Sequence, residues 1–145
     1  MRETLFRGKR EDNGEWVIGY LVRGKDYLYE TEITTIFSTD TIFYPYTETS
    51  GYNRVIPKTI GQFTGRLDEN FNKIFEGDIL EVSYDDGTAY TTEVRAYGST
   101  LCVDIEGEDY NFTAIDFAVD IWKDNCCEYK VIGNVFDNPE LLEEL

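Results

Sequence analysis

Glu76 and Asp78 are the residues of this chain whose spacing comes nearest to catalysis. On an extended segment they share a face with their carboxylates about 7 Å apart, a separation at which two acids can hydrolyse a glycosidic bond. Acidic pairs are common among 29 Asp and Glu, so the spacing alone assigns no reaction. Asp68, Asn70 and Asn72 have the alternate spacing that opens a calcium loop. Lys73 stands where that loop needs glycine and Ile79 where it needs a bidentate glutamate, so the segment reads as a turn. Gly61, Gly65 and Gly77 lead into neither Gly-Lys-Ser/Thr nor a helix and read as bends, not as a phosphate cradle.

The chain has no histidine, which excludes the serine and cysteine triads that depend on imidazole. Cys102, Cys126 and Cys127 lack the Cys-x-x-Cys spacing of a zinc site. Adjacent cysteines in a strand point to opposite faces, so an easy bridge between Cys126 and Cys127 is not expected; a reducing compartment fits better. Cys127 shares a strand face with Tyr129 and Val131 and reads as a small buried hydrophobe. No catalytic residue, metal site or cofactor is assigned, and the expectation is a protein that is not an enzyme.

One cluster remains. Arg7, Lys9 and Arg10 lie beside Phe6, Trp16 and Tyr20, the single place where basic and aromatic residues gather. Arg7, Lys9, Arg10, Trp16 and Tyr20 form an interaction surface in one reading, docking on the acidic part of a neighbouring copy to build a homo-oligomer. In the other they are a solvated hairpin whose cations cover aromatic faces. Sizing at low and high salt separates the two.

The charge is −16, and it is uneven. Residues 1–25 hold six Lys/Arg against four Asp/Glu; residues 26–145 hold seven against 25, a net of −18. Such a field repels phosphate backbones, so direct binding to nucleic acid is not expected. Solubility and protection of sheet edges account for the acidity without a dedicated binding face. An acidic surface spaced like phosphates would instead make a DNA mimic that inhibits a nucleic-acid-binding protein. A carboxylate-only hydrolase would need a concave pocket around Glu76 and Asp78. The amino terminus has cations but no apolar stretch behind them, which is not the pattern of a signal peptide, and no membrane span is expected because eighteen apolar residues never run together.

Positioning falls to β-structure. A chain of 145 residues fits one domain, 1–145, with an N-terminal β subdomain over 1–55 packed on a barrel over 56–145 as one subdivision. Period-two alternation recurs: Trp16, Ile18 and Tyr20 share a face, and so do Thr31, Ile33, Thr35 and Phe37. Asn13-Gly14 predicts a type I′ hairpin joining 3–8 to 15–22. Arg23–Asp26 reads as the next turn before a strand over 27–37, and Thr41–Tyr44 as a short strand followed by a loop. Pro57 marks an edge or strand start and Gly61 a bulge or bend. Residues 66–72 read as a polar turn, 74–83 as a strand interrupted by glycine, and 88–97 as its hairpin partner across Asp85-Asp-Gly87. Leu101, Val103 and Ile105 share a further strand face. Over 110–122 the apolar spacing favours a strand, although its first half also fits a short helix. Asn138-Pro139-Glu140 opens a short C-terminal helix. Many short strands linked by glycine turns make the chain mainly β, a small complex barrel or sandwich of antiparallel strands.

Three blocks carry a resemblance: Leu5–Arg10 with Asn13–Val22, Ile56–Gly65 with Lys73–Ile79, and Val131–Leu141. In this order they resemble the YopX-like family of small phage and prophage proteins. Residues 26–53 and 84–128 do not take part. Phe71 is a departure, standing in Asp68-Glu-Asn-Phe-Asn72 where the family usually has glycine. The resemblance implies a mostly β fold of complex topology, encoded by a bacteriophage or prophage and acting in the host bacterium's cytoplasm, with no established activity and no catalytic residues to transfer. A non-enzymatic accessory protein that binds a host or phage protein is the function this suggests.

Overall fold

The computed structural model describes residues 4–26, 31–38, 52–105 and 112–142. The chain divides into two compact units, Met1–Phe63 and Thr64–Leu145. Unit 1 is a sheet of β1 (Phe6–Lys9), β2 (Trp16–Asp26), β3 (Thr31–Ser38), β4 (Tyr52–Arg54) and the start of β5 (Gly61–Leu67). The order is β4-β3-β2-β1-β5, every neighbour antiparallel.

The β1–β2 hairpin forms as the alternation predicts, but its turn is longer than a two-residue I′ turn. Gly14, at φ 70, donates to the Arg10 carbonyl at 3.0 Å, and Asn13 accepts from the Glu15 N–H instead of taking positive φ itself. Arg23–Asp26 is not a turn: those residues continue β2, paired with Thr34 to Thr31 of β3. Cross-strand pairing with a Thr- and Ile-rich neighbour outweighs the local preference of Gly24 for a bend. The predicted strand at 41–44 lies outside the described residues. Gly19 faces the β3 backbone so closely that a Cβ would overlap the Phe37 carbonyl oxygen. Ile36 and Val55, both fully buried, close over Gly8 on that side of the sheet. Pro57 starts a 3₁₀ turn, Pro57–Thr59, instead of a strand, and the buried Thr59 hydroxyl accepts from the Lys9 N–H at 2.9 Å.

Unit 2 contains two open three-stranded sheets. One runs β12 (Glu128–Asn134), β7 (Asp78–Ser83), β8 (Ala89–Glu93); the other runs β11 (Thr113–Ala114), β10 (Thr100–Val103), β9 (Arg95–Tyr97). The strand over 74–83 is interrupted at its glycine, as read from the sequence, and forms two, β6 (Lys73–Phe75) and β7, because Gly77 at φ 92 turns the chain between them. The 88–97 strand also divides at Val94, whose N–H and C=O bond Asp78 and Gly77 at 2.9 Å each, so that β8 and β9 enter different sheets. No closed barrel forms among the described residues; the sheets enclose a sandwich-like core of Leu80, Val82, Val94, Leu101, Val103 and Trp122.

Residues 115–124 correct the sequence reading. They form a helix, α1 (Ile115–Asp124), not a strand. Ile115, Ala118, Val119 and Trp122 are buried at helical spacing, whereas Phe117, on which the alternation depended, is 61% exposed. Asp116 in the first turn and Lys123 in the last suit the helix dipole. Burying the stripe also lets Trp122 donate its Nε1–H to the Tyr90 hydroxyl at 2.9 Å. The C-terminal helix is a 3₁₀ turn over Pro139–Leu142, and the Asn138 side chain accepts from the Asn134 N–H of β12.

Candidate interaction surface

Antiparallel pairing sets Lys9 directly opposite Trp16 and Arg7 opposite Ile18. Alternation then places Arg7, Lys9, Trp16, Ile18 and Tyr20 on one face of the sheet. The Arg7 guanidinium lies 4.7 Å and the Lys9 ammonium 5.5 Å from the Trp16 ring centroid, within cation–π range. Tyr20, 56% exposed, continues the stripe and pairs across to Phe37 of β3. Val22, also exposed, extends it further. Val22 follows from the alternation of β2, whereas Phe37 joins the face only through strand pairing, which is why sequence proximity to the cations did not mark it.

Arg10 is placed elsewhere. Its guanidinium grips Asp12 through two bonds, Nε to Oδ1 at 2.9 Å and Nη2 to Oδ2 at 2.7 Å. The Arg10 hydrogen bond holds the Asp12 carboxyl below its ordinary range. Arg10 forms a bridge to Val55, and with Glu11, Asp12, Asn53 and Arg54 it lines a cleft of about 220 Å³. The structure therefore separates the sequence cluster into a cation–aromatic face and a mixed-charge cleft.

The other candidate groups serve the backbone. Asp78, 1% exposed, accepts the Phe75 N–H at 2.7 Å, and the turn at Gly77 removes the extended geometry that would align it with Glu76. Asp68 accepts from the N–H groups of Asn70, Asn72 and Val131. Burial would raise its pKa, but those bonds win and hold it below the ordinary carboxylate value. Among the described residues no group of three His, Cys, Asp or Glu is placed to hold a metal ion. Cys102 and Cys127 are buried, and burial pushes both thiols up; Cys126 is exposed. No described helix is long and apolar enough to cross a membrane.

The solved structures that share the fold include these two. One is protein EF1440 from Enterococcus faecalis, at 26% identity and a TM-score of 0.58, covering 99% of this chain and 100% of that one. The other is protein yopX from Bacillus subtilis, at 19% identity and a TM-score of 0.52 over the same shares of the two chains. Among curated proteins no relative matches. The family model described as YopX protein matches residues 5–143, so the chain belongs to the YopX family.

Proposed function

We propose that this chain is a non-enzymatic phage or prophage accessory protein that acts in the host bacterium's cytoplasm by binding another protein. The observation that carries the reading is the Arg7–Lys9–Trp16 face, where two cations lie against an aromatic ring on a sheet face continued by the exposed Tyr20. Cation–aromatic surfaces of this kind suit an acidic partner, and Trp, Tyr and Arg are the residue types that dominate binding energy at interfaces. The charge division favours the same reading: residues 1–63 hold eight Lys/Arg against nine Asp/Glu, while residues 64–145 hold five against 20. A second copy of the chain thus offers one acidic surface that the face can recognise.

Light scattering on the intact protein tests this, together with capture from host lysate at several salt concentrations. Self-association or capture at low salt that weakens in about 1 M salt, and that is lost in an Arg7→Glu, Lys9→Glu double variant, is the expected result. A monomer at both salt concentrations, with capture returning only the bait, ends the reading.

The acidity of residues 64–145 supports a second reading, a DNA-mimic inhibitor of a nucleic-acid-binding protein. Competition separates it from the first: a DNA mimic is displaced from its partner by duplex DNA, and a partner of the unit 1 face is not.

A further inference from the structure

Phe71 is 82% exposed and sits at φ 64, in the left-handed region that side-chain-bearing residues adopt at a cost. The turn around it is closed by hydrogen bonds. The Phe71 N–H donates to the Asp68 carbonyl at 3.0 Å, and the Asp68 N–H donates to the Asn72 carbonyl at 2.9 Å. The buried Asp68 carboxylate then ties Asn70 and Asn72 to Val131 of β12. A phenyl ring is thus held outward on a fixed backbone, strained and largely in water, and neither cost is offset by burial within the chain.

We propose that Phe71 is a preformed anchor of unit 2, built to insert into an apolar pocket rimmed by Lys or Arg on another protein. Aromatic anchors carry a disproportionate share of binding energy, and one whose backbone is already fixed loses little freedom on association. The basic rim follows from the charges beside the ring. Glu69 lies two residues away, and its N–H donates to the Tyr129 carbonyl, which brings it beside Glu128; both carboxylates are exposed. Partial desolvation, a hydrogen bond with Glu128 and repulsion from it raise the Glu69 pKa, and the pull of Lys130, which is itself paired with Glu81 at 3.6 Å, does not reverse that direction, so a cation from a partner relieves a like-charge contact. Lys73 is the cation of the turn segment and lies beyond Asn72. The site is independent of the Arg7–Lys9–Trp16 face, which selects the opposite charge.

The experiment has a stability arm and a binding arm. Phe71→Gly removes strain without removing internal packing, so its Tm rises by about 3 °C; a fall in Tm would mean that Phe71 serves the fold, and would overturn the proposal. For binding, Phe71 is replaced by p-benzoylphenylalanine and the intact protein is irradiated in extract of the cells that carry its gene, with the same replacement at the exposed Phe117 as control. The expected result is one adduct specific to position 71, blocked by excess unlabelled protein but not by Phe71→Gly. The purified cross-linked protein then binds Phe71→Gly at least about tenfold more weakly, binds Phe71→Trp nearly normally and binds Trp16→Ala unchanged. An adduct equal to that at position 117, an adduct with a second copy of the chain, or a purified partner indifferent to Phe71→Gly each overturns the proposal.

Discussion

The Asp68 carboxylate accepts the backbone N–H of Val131 at 3.0 Å, joining residues 63 positions apart, while its other oxygen caps Asn70 and Asn72. One buried side chain therefore closes a local turn and locks it to a distant strand. Replacing it with alanine strands several N–H donors, and we expect Asp68→Ala to cost about 2–4 kcal/mol in denaturant unfolding. Asp68→Asn retains a carbonyl acceptor and costs less.

The same carboxylate sets an acid dependence. Its folded pKa lies below the reference of 3.8, so the stability it contributes is present above that value and is lost as the pH falls through the folded pKa. Unfolding measured from pH 5 downward should show this loss in the natural chain and a shallower loss in Asp68→Asn. Equal slopes would remove Asp68 from the account.

Gly19 and Gly14 should respond differently to alanine. At Gly19 a Cβ meets the Phe37 carbonyl, backbone that cannot rotate away, and we expect at least about 2 kcal/mol of destabilisation. At Gly14 the space is open and the cost is that of φ 70 alone, about 1 kcal/mol. Thermal unfolding of the two variants checks the order, and a milder effect at Gly19 contradicts it.

Trp122 and Tyr90 share a hydrogen bond at 2.9 Å next to the core of unit 2. Tyr90→Phe leaves the buried indole N–H without this acceptor and should cost about 1–2 kcal/mol. Trp122→Ala adds a cavity and should cost about 3–5 kcal/mol. A double-mutant cycle that gives no coupling between the two residues would show that the bond contributes nothing.

Thiol labelling should distinguish the cysteines. Cys126 is exposed, whereas Cys102 and Cys127 are buried with pKa values raised by that burial. Native protein at neutral pH is expected to give one fast equivalent with a disulfide reagent and three after unfolding. A fast reaction in Cys126→Ser contradicts this.

The comparison of sequence and structure turns on the range of each interaction. Alternation at Trp16, Ile18 and Tyr20 was readable because a strand's faces repeat every two residues whatever its neighbours are. The Asp85–Gly87 hairpin was readable because turn chemistry is local; Gly87 takes φ 89 and Asp86 binds Thr88. At 115–122 two periods competed, and only burial of Ile115, Ala118, Val119 and Trp122 in one core with Leu80, Val82, Leu101 and Val103 chose the helical one. Part of the candidate surface was equally legible, since Arg7, Lys9 and Trp16 are close in sequence. Arg10 was misgrouped with them because the adjacent Asp12 captures it on the other side of the strand.

By itself the sequence determined a β-rich chain with glycine-marked turns, an acidic C-terminal portion and no imidazole for catalysis, all properties of residue type and short-range spacing. Tertiary structure alone decided that Asp68 binds Val131, and that the strained loop which holds Phe71 outward is thereby tied to β12. Each of these depends on which distant backbone donor arrives at a given side chain, and local preference carries no information about that arrival.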